Sequence, residues 1–143
     1  MADVIYLSYW HDAVRGLIPE AANVKVMLTT SAYTANELTH MTRSQVTNEV
    51  AAGNGYTAGG LAATYTIARD DANRRINITL AGAEWTTAAS QTLTARNAVY
   101  YVATGNAATD RLIACNDFGS DQIASNGGKL TVAASTLRLV NPV

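Results

Sequence analysis

A chain of 143 residues with 10 Lys and Arg against 11 Asp and Glu, net charge -1, lacks the strongly basic face with which nucleic-acid binders neutralise phosphates. Its length suits a single domain, residues 1–143, able to bury a core of its own. Charged residues are only 15% of the chain, well under the roughly 25% of an average soluble domain, which suits either a surface partly covered by another subunit or a monomer with a Thr- and Asn-rich surface.

Cys115 is the single cysteine and excludes an internal disulfide. It lies in an apolar stretch, where a small buried hydrophobe is the expected role. No apolar run has the length of a membrane-spanning helix, so no membrane partner is expected. The N-terminus shows no basic start followed by an apolar core, so the expectation is synthesis and folding in the cytoplasm of the producing cell.

In chain order, Asp3 stands as the cap of a short helix running to about Arg15, closed by Gly16 and ended by Pro19. Tyr6, Trp10, Ala13 and Leu17 fall at helical spacing, widened by Leu7 and Val14, with Ser8, Asp12 and Arg15 on the polar side. This segment, residues 1–18, is expected to pack on the β domain or on a neighbouring subunit. Asn23 to Thr30 alternates as a half-buried strand. Residues 31–50 are polar, with Thr34 and Glu37 at capping-box spacing, and suit either a short helix around Met41 to Glu49 or a long loop with a helical turn. The run Gly53-Asn54-Gly55-Tyr56-Thr57-Ala58-Gly59-Gly60 lacks the lysine and hydroxyl residue of a phosphate loop and reads as backbone turns needing positive φ. Residues 61–68 and 75–80 form a hairpin around the turn Asp70-Asp71-Ala72-Asn73; Asn77-Ile78-Thr79 matches a glycosylation sequon inside a strand.

Residues 85–121 hold the plainest pattern. Leu93, Ala95, Asn97, Val99, Tyr101 and Ala103 share one face of an extended chain, and Thr94, Arg96, Ala98, Tyr100 and Val102 the other. Thr104-Gly105-Asn106 breaks the pattern and Arg111 resumes it, giving a hairpin with a long loop. Only one of Tyr100 and Tyr101 is expected in the core. Two short strands follow the turn Ser125-Asn126-Gly127-Gly128. Without βα alternation, the pattern predicts a mainly β fold: an antiparallel sandwich or jelly-roll-like barrel of about seven or eight strands with a short N-terminal helix.

His11 and His40 have no partners at metal-site spacing, and no nucleophile or metalloprotease motif occurs, so no catalytic residue, cofactor or metal is expected. Asp117 and Asp121 flank a Gly-Ser turn; they are two oxygen ligands for a cation such as calcium, or turn residues bonding their own backbone. Tyr6, Tyr9, Trp10 and Tyr100 are the candidate protein–protein interface residues, since aromatic side chains concentrate at interface cores. Trp85, Tyr100 and Tyr56 are the alternative, a stacking platform for a glycan.

Several segments occur together in a recurring order. Val24-Lys25-Val26-Met27-Leu28-Thr29-Thr30 is followed by Thr39-His40, Val46-Thr47-Asn48-Glu49-Val50 and the glycine-rich run. Trp85, Thr94-Ala95-Arg96, Ala98-Val99-Tyr100-Tyr101, Leu112-Ile113-Ala114 and Asp117-Phe118-Gly119-Ser120-Asp121-Gln122 complete it. The set resembles a family of small virion structural proteins of tailed bacteriophages. Asn97, where an aromatic often follows the Thr-Ala-Arg segment, and the Ala-rich end depart from that pattern. The resemblance implies a non-enzymatic virion component, made in the host cytoplasm, whose partners are the major capsid protein and copies of itself. A decoration protein on the outer shell is the favoured role, as a trimer by analogy; a tail or baseplate location, or a carbohydrate-binding module for host attachment, are the alternatives.

Overall fold

A computed structural model describes residues 4–142. Strand residues make up 47% and helix 8%, which settles a mainly β class. The elements are β1 (Val4–Ile5), α1 (Leu7–Val14), β2 (Val24–Thr29), β3 (Leu61–Ala62), β4 (Tyr65–Asp70) and β5 (Arg75–Leu80). They continue with β6 (Ala83–Thr86), β7 (Thr92–Val102), β8 (Arg111–Ser125), β9 (Lys129–Val132) and β10 (Ser135–Val140). One sheet runs β1-β8-β7-β2-β3, a second β10-β5-β4, and a third β6-β9, every pairing antiparallel. None closes into a barrel, so the arrangement is that of a sandwich.

The main core lies between the five-stranded sheet and the two smaller ones. Val26, Leu28, Ala98 and Tyr100 face Leu80, Trp85, Val132 and Leu137 there. A second cluster covers the opposite face of the same sheet, where Met27, Val99, Tyr101 and Leu112 meet Tyr6 and Tyr33. β2 is therefore buried on both faces rather than half-buried, and both Tyr100 and Tyr101 are inside. The expectation of a single buried ring fails because the loop 31–50 supplies a second cover.

Strict alternation in β7 also fails at one place. Ala95 pairs with Gln122 and Asn97 with Asp117, so Arg96 alone faces residues 118–121. This bulge moves Leu93 and Ala95 to the Tyr100 face and leaves Asn97 with Val99 and Tyr101 on the other. The Gly-Ser turn is thus an excursion within β8, not a boundary between strands.

The N-terminus departs from a continuous helix. Val4 and Ile5 pair with Cys115 and Ala114 as a short edge strand, and α1 starts at Leu7 with Tyr6 as its N-cap; the Asp3 cap lies outside the described residues. The 31–50 loop holds a single 3-10 turn, Arg43–Gln45, and its capping box is Thr42 with Gln45, not Thr34 with Glu37.

Gly60 enters β3 at φ +73°, and a Cβ there would overlap the carbonyl of Val26 on β2. Gly105, at φ +90°, has nothing within 4 Å of such a Cβ. Gly105→Ala is expected to cost about 1 kcal/mol through backbone strain alone. Gly60→Ala adds the clash and is expected to cost ~3 kcal/mol or more. Urea unfolding of the two variants measures both; equal losses would refute the close approach.

Candidate functional site

The four aromatic residues proposed for an interface do not form one. Tyr6, Tyr9 and Tyr100 are fully buried within the subunit, and only Trp10 keeps part of its surface, its ring 5.0 Å from that of Tyr9. The hydroxyls of these tyrosines explain why burial is tolerated. Tyr6 shares a hydrogen bond of 2.8 Å with Tyr33, Tyr9 one of 3.0 Å with Tyr65, and Tyr100 donates to the Ala81 carbonyl at 3.0 Å. Burial pushes the Tyr100 phenol up to about 12. The glycan platform fails for the same reason, since Trp85, Tyr56 and Tyr100 all lie inside.

Burying Tyr6 and Tyr9 turns the other side of α1 outward. Asp12, expected on the polar side, is buried and accepts from Arg111 of β8 at 2.8 Å. Leu7 and Val14, expected to widen the buried stripe, are instead 55% and 84% exposed. With His11 they make an outer face at helical spacing of four and three residues. Leu38 and Met41, on the 31–50 loop, are 65% and 54% exposed beside it. Leu7, Leu38 and Met41 rim a groove of about 610 Å³ over His11, Asp12 and Arg111.

Backbone contacts hold that groove. The Leu7 N–H donates to the Glu37 carbonyl at 2.9 Å and the Leu112 N–H to the Met41 carbonyl at 3.0 Å. Helix, loop and β8 thus meet at a fixed angle. Large apolar side chains this exposed, gathered on one surface, mark an interaction site more often than isolated ones do.

A polar cleft on the neighbouring surface is lined by Lys25, Arg43, Glu49, Gly59, Tyr101 and Asp110. Arg43, Asp110 and Glu49 are committed to groups of the subunit itself. Arg43 donates to Asp110 at 2.6 Å and lies over the Tyr101 ring, 5.2 Å from its centroid. Glu49 accepts from the Tyr56 hydroxyl at 2.8 Å and from the Gly59 N–H. Burial alone would raise the Asp110 carboxyl, but the Thr104 N–H and hydroxyl and Arg43 outweigh it and hold it below the usual carboxylate range. This cleft is a clamp on the loop.

Elsewhere, Asp117 accepts from Arg96 and from the Gly119 N–H. That commitment removes it as a bare cation ligand, and no group of three or more His, Cys, Asp or Glu among the described residues could hold a metal ion. His40 Nδ1 accepts from the Asn36 N–H and lies 3.1 Å from the Tyr33 hydroxyl, so it belongs to the loop's internal bonding. No signal in the amino-acid pattern singled out Leu38 or Met41, because an apolar residue in a polar loop is ordinarily read as covering the core.

Removing the clamp has a signed pH consequence. A carboxyl whose folded pKa is depressed contributes stability above the unfolded value of about 3.9 and loses it as pH falls through the folded value. Asp110→Asn is expected to cost about 2 kcal/mol at neutral pH, with the gap to the parent closing on acidification below about pH 4. Urea titrations across that range check it; a gap independent of pH would exclude this role. No family model matches the chain, and neither a curated protein nor a solved structure is similar to it.

Proposed function

We propose that this chain is a non-enzymatic structural component of a phage virion, a decoration protein that binds the outer capsid shell and stabilises it. The observation that carries the docking part is the exposed apolar face of α1 and the adjoining loop, where Leu7, Val14, Leu38 and Met41 stand clear of the subunit's own core. The resemblance of the ordered segments to virion proteins supplies the class of partner. A low charge density suits a surface that packs against others.

Binding that is confined to the assembled shell stabilises it by mass action, in proportion to RT ln(1 + [L]/Kd). Neighbouring capsid subunits present composite surfaces only after assembly, so a protein spanning them discriminates shell from free subunit. The rigid β body holds the apolar face in place, and little conformational entropy is then lost on docking.

Co-sedimentation with mature shells tests the reading. Retention on shells and not by free capsid subunits is expected, and no retention would overturn it. Leu38→Asp and Met41→Glu should each weaken retention about tenfold, equivalent to ~1.4 kcal/mol. Their unfolding free energies should stay within about 0.5 kcal/mol of the parent, because both side chains are exposed. Unchanged retention by both variants would move the docking face elsewhere, and immunogold label on the tail would replace the shell as the site.

A further inference from the structure

The three-stranded sheet ends in a tip with an unusual surface. Arg69, Arg74, Arg75 and Arg138 stand there against Asp70 and Asp71, although the whole chain is net negative. Arg75 pairs with Asp70 and Arg69 with Asp71. Among the described residues, Arg74 and Arg138 have no ion-pair partner. Between these charges lie Ile76, Leu139 and Val140, the last two 49% and 60% exposed, in a groove of about 700 Å³.

The two edges of this sheet differ. The Asn141 N–H donates to the Arg74 carbonyl at 2.9 Å, next to the Val140–Arg75 pair. Antiparallel bonding recurs at every second residue. Leu139 and Leu137 therefore bond inward to β5, while Arg138 and Val140 point their N–H and C=O groups outward. On the other edge the same phase turns the Ile67 N–H outward, and the Glu20 carboxylate takes it at 3.3 Å. Among the described residues nothing bonds the outward groups of Arg138 and Val140. An edge left open in this way is a template for one more strand.

Charge selects what pairs with it. Two copies of β10 paired antiparallel about Arg138 would set Arg138 against Arg138, and like charges directly opposite are destabilising. A carboxylate at that position would be attracted, on the face that also carries Arg74's neighbours Arg75 and Val140. The next residue of such a strand lies over Leu139 and calls for an apolar side chain. We propose that the β10 edge takes an extended segment of another protein, alternating acidic and apolar residues, as an added strand. The inference rests on this edge and not on the virion reading.

Binding of two short fluorescent peptides tests it, one alternating valine and glutamate and the other valine and lysine. The glutamate peptide is expected to bind at least about tenfold more tightly, with Kd below ~1 mM. Arg138→Glu should reverse the preference. Val140→Pro should abolish binding, because it removes an outward N–H and leaves the inward ladder intact. Should either variant unfold, methylating alternate peptide nitrogens must weaken binding to the parent chain by a similar factor. Equal affinity for both peptides, no binding at about 1 mM, or indifference to N-methylation overturns the proposal. A dimer in sedimentation velocity that Val140→Pro dissolves would assign the edge to a second copy and also overturn it. Peptide binding retained by Leu38→Asp would show that this edge and the shell-docking face are separate.

Discussion

Everything in this fold depends on β7 having two buried faces. Its position in the five-stranded sheet, between β2 and β8, puts Tyr100 against the smaller sheets and Tyr101 on the opposite side. A large ring gains about 2 kcal/mol from burial, and that gain is available for Tyr101 only if something covers it. The 31–50 loop is the cover. A loop laid over an apolar sheet brings backbone and side-chain polar groups out of water, and each needs a partner.

The loop is bonded accordingly. Asn97 reaches across from β7 to the Thr29 hydroxyl at 3.1 Å and to the Tyr33 carbonyl at 3.4 Å. Tyr33 stacks on His40 with ring centroids 5.7 Å apart and meets Tyr6 through their hydroxyls. At the far end, Tyr56 links the Leu28 N–H to the Glu49 carboxylate, and Arg43 links the loop to Asp110 and the Tyr101 ring. Asn97 keeps the face of Val99 and Tyr101, and the β7 bulge just before it turns Leu93 and Ala95 to the main core instead. Polar residues that look idle in the amino-acid order are thus the fastening of the second core.

That arrangement also decides what is left outside. With Tyr6 and Tyr9 drawn inward, α1 presents Leu7, His11 and Val14, and the loop presents Leu38 and Met41 beside them. Tyr6, Tyr9 and Tyr100, side chains of the kind that normally carries interface energy, are consumed by the core. The large apolar side chains left at the surface are not aromatic, and most gather on the helix-and-loop face or toward the tip of β4, β5 and β10.

The amino-acid order by itself determined the β class, the hairpin of β7 and β8, the hairpin of β4 and β5, and the glycine-rich turns. These depend on local rules: alternation, φ preference and turn chemistry act within a few residues of each other. Tertiary structure alone decided the rest. Tyr100 and Tyr101 are adjacent in sequence and on opposite faces, and alternation cannot say how many layers a sheet has. Tyr6, Trp10 and Ala13 pack inward as their spacing predicts, but Leu7 and Val14 fall outside and Asp12 inside, because Asp12 buries its charge by meeting Arg111, far along the chain. The bulge at Arg96, the edge strand at Val4–Ile5 and the open edge of β10 are pairing facts, fixed by partners that no local pattern names.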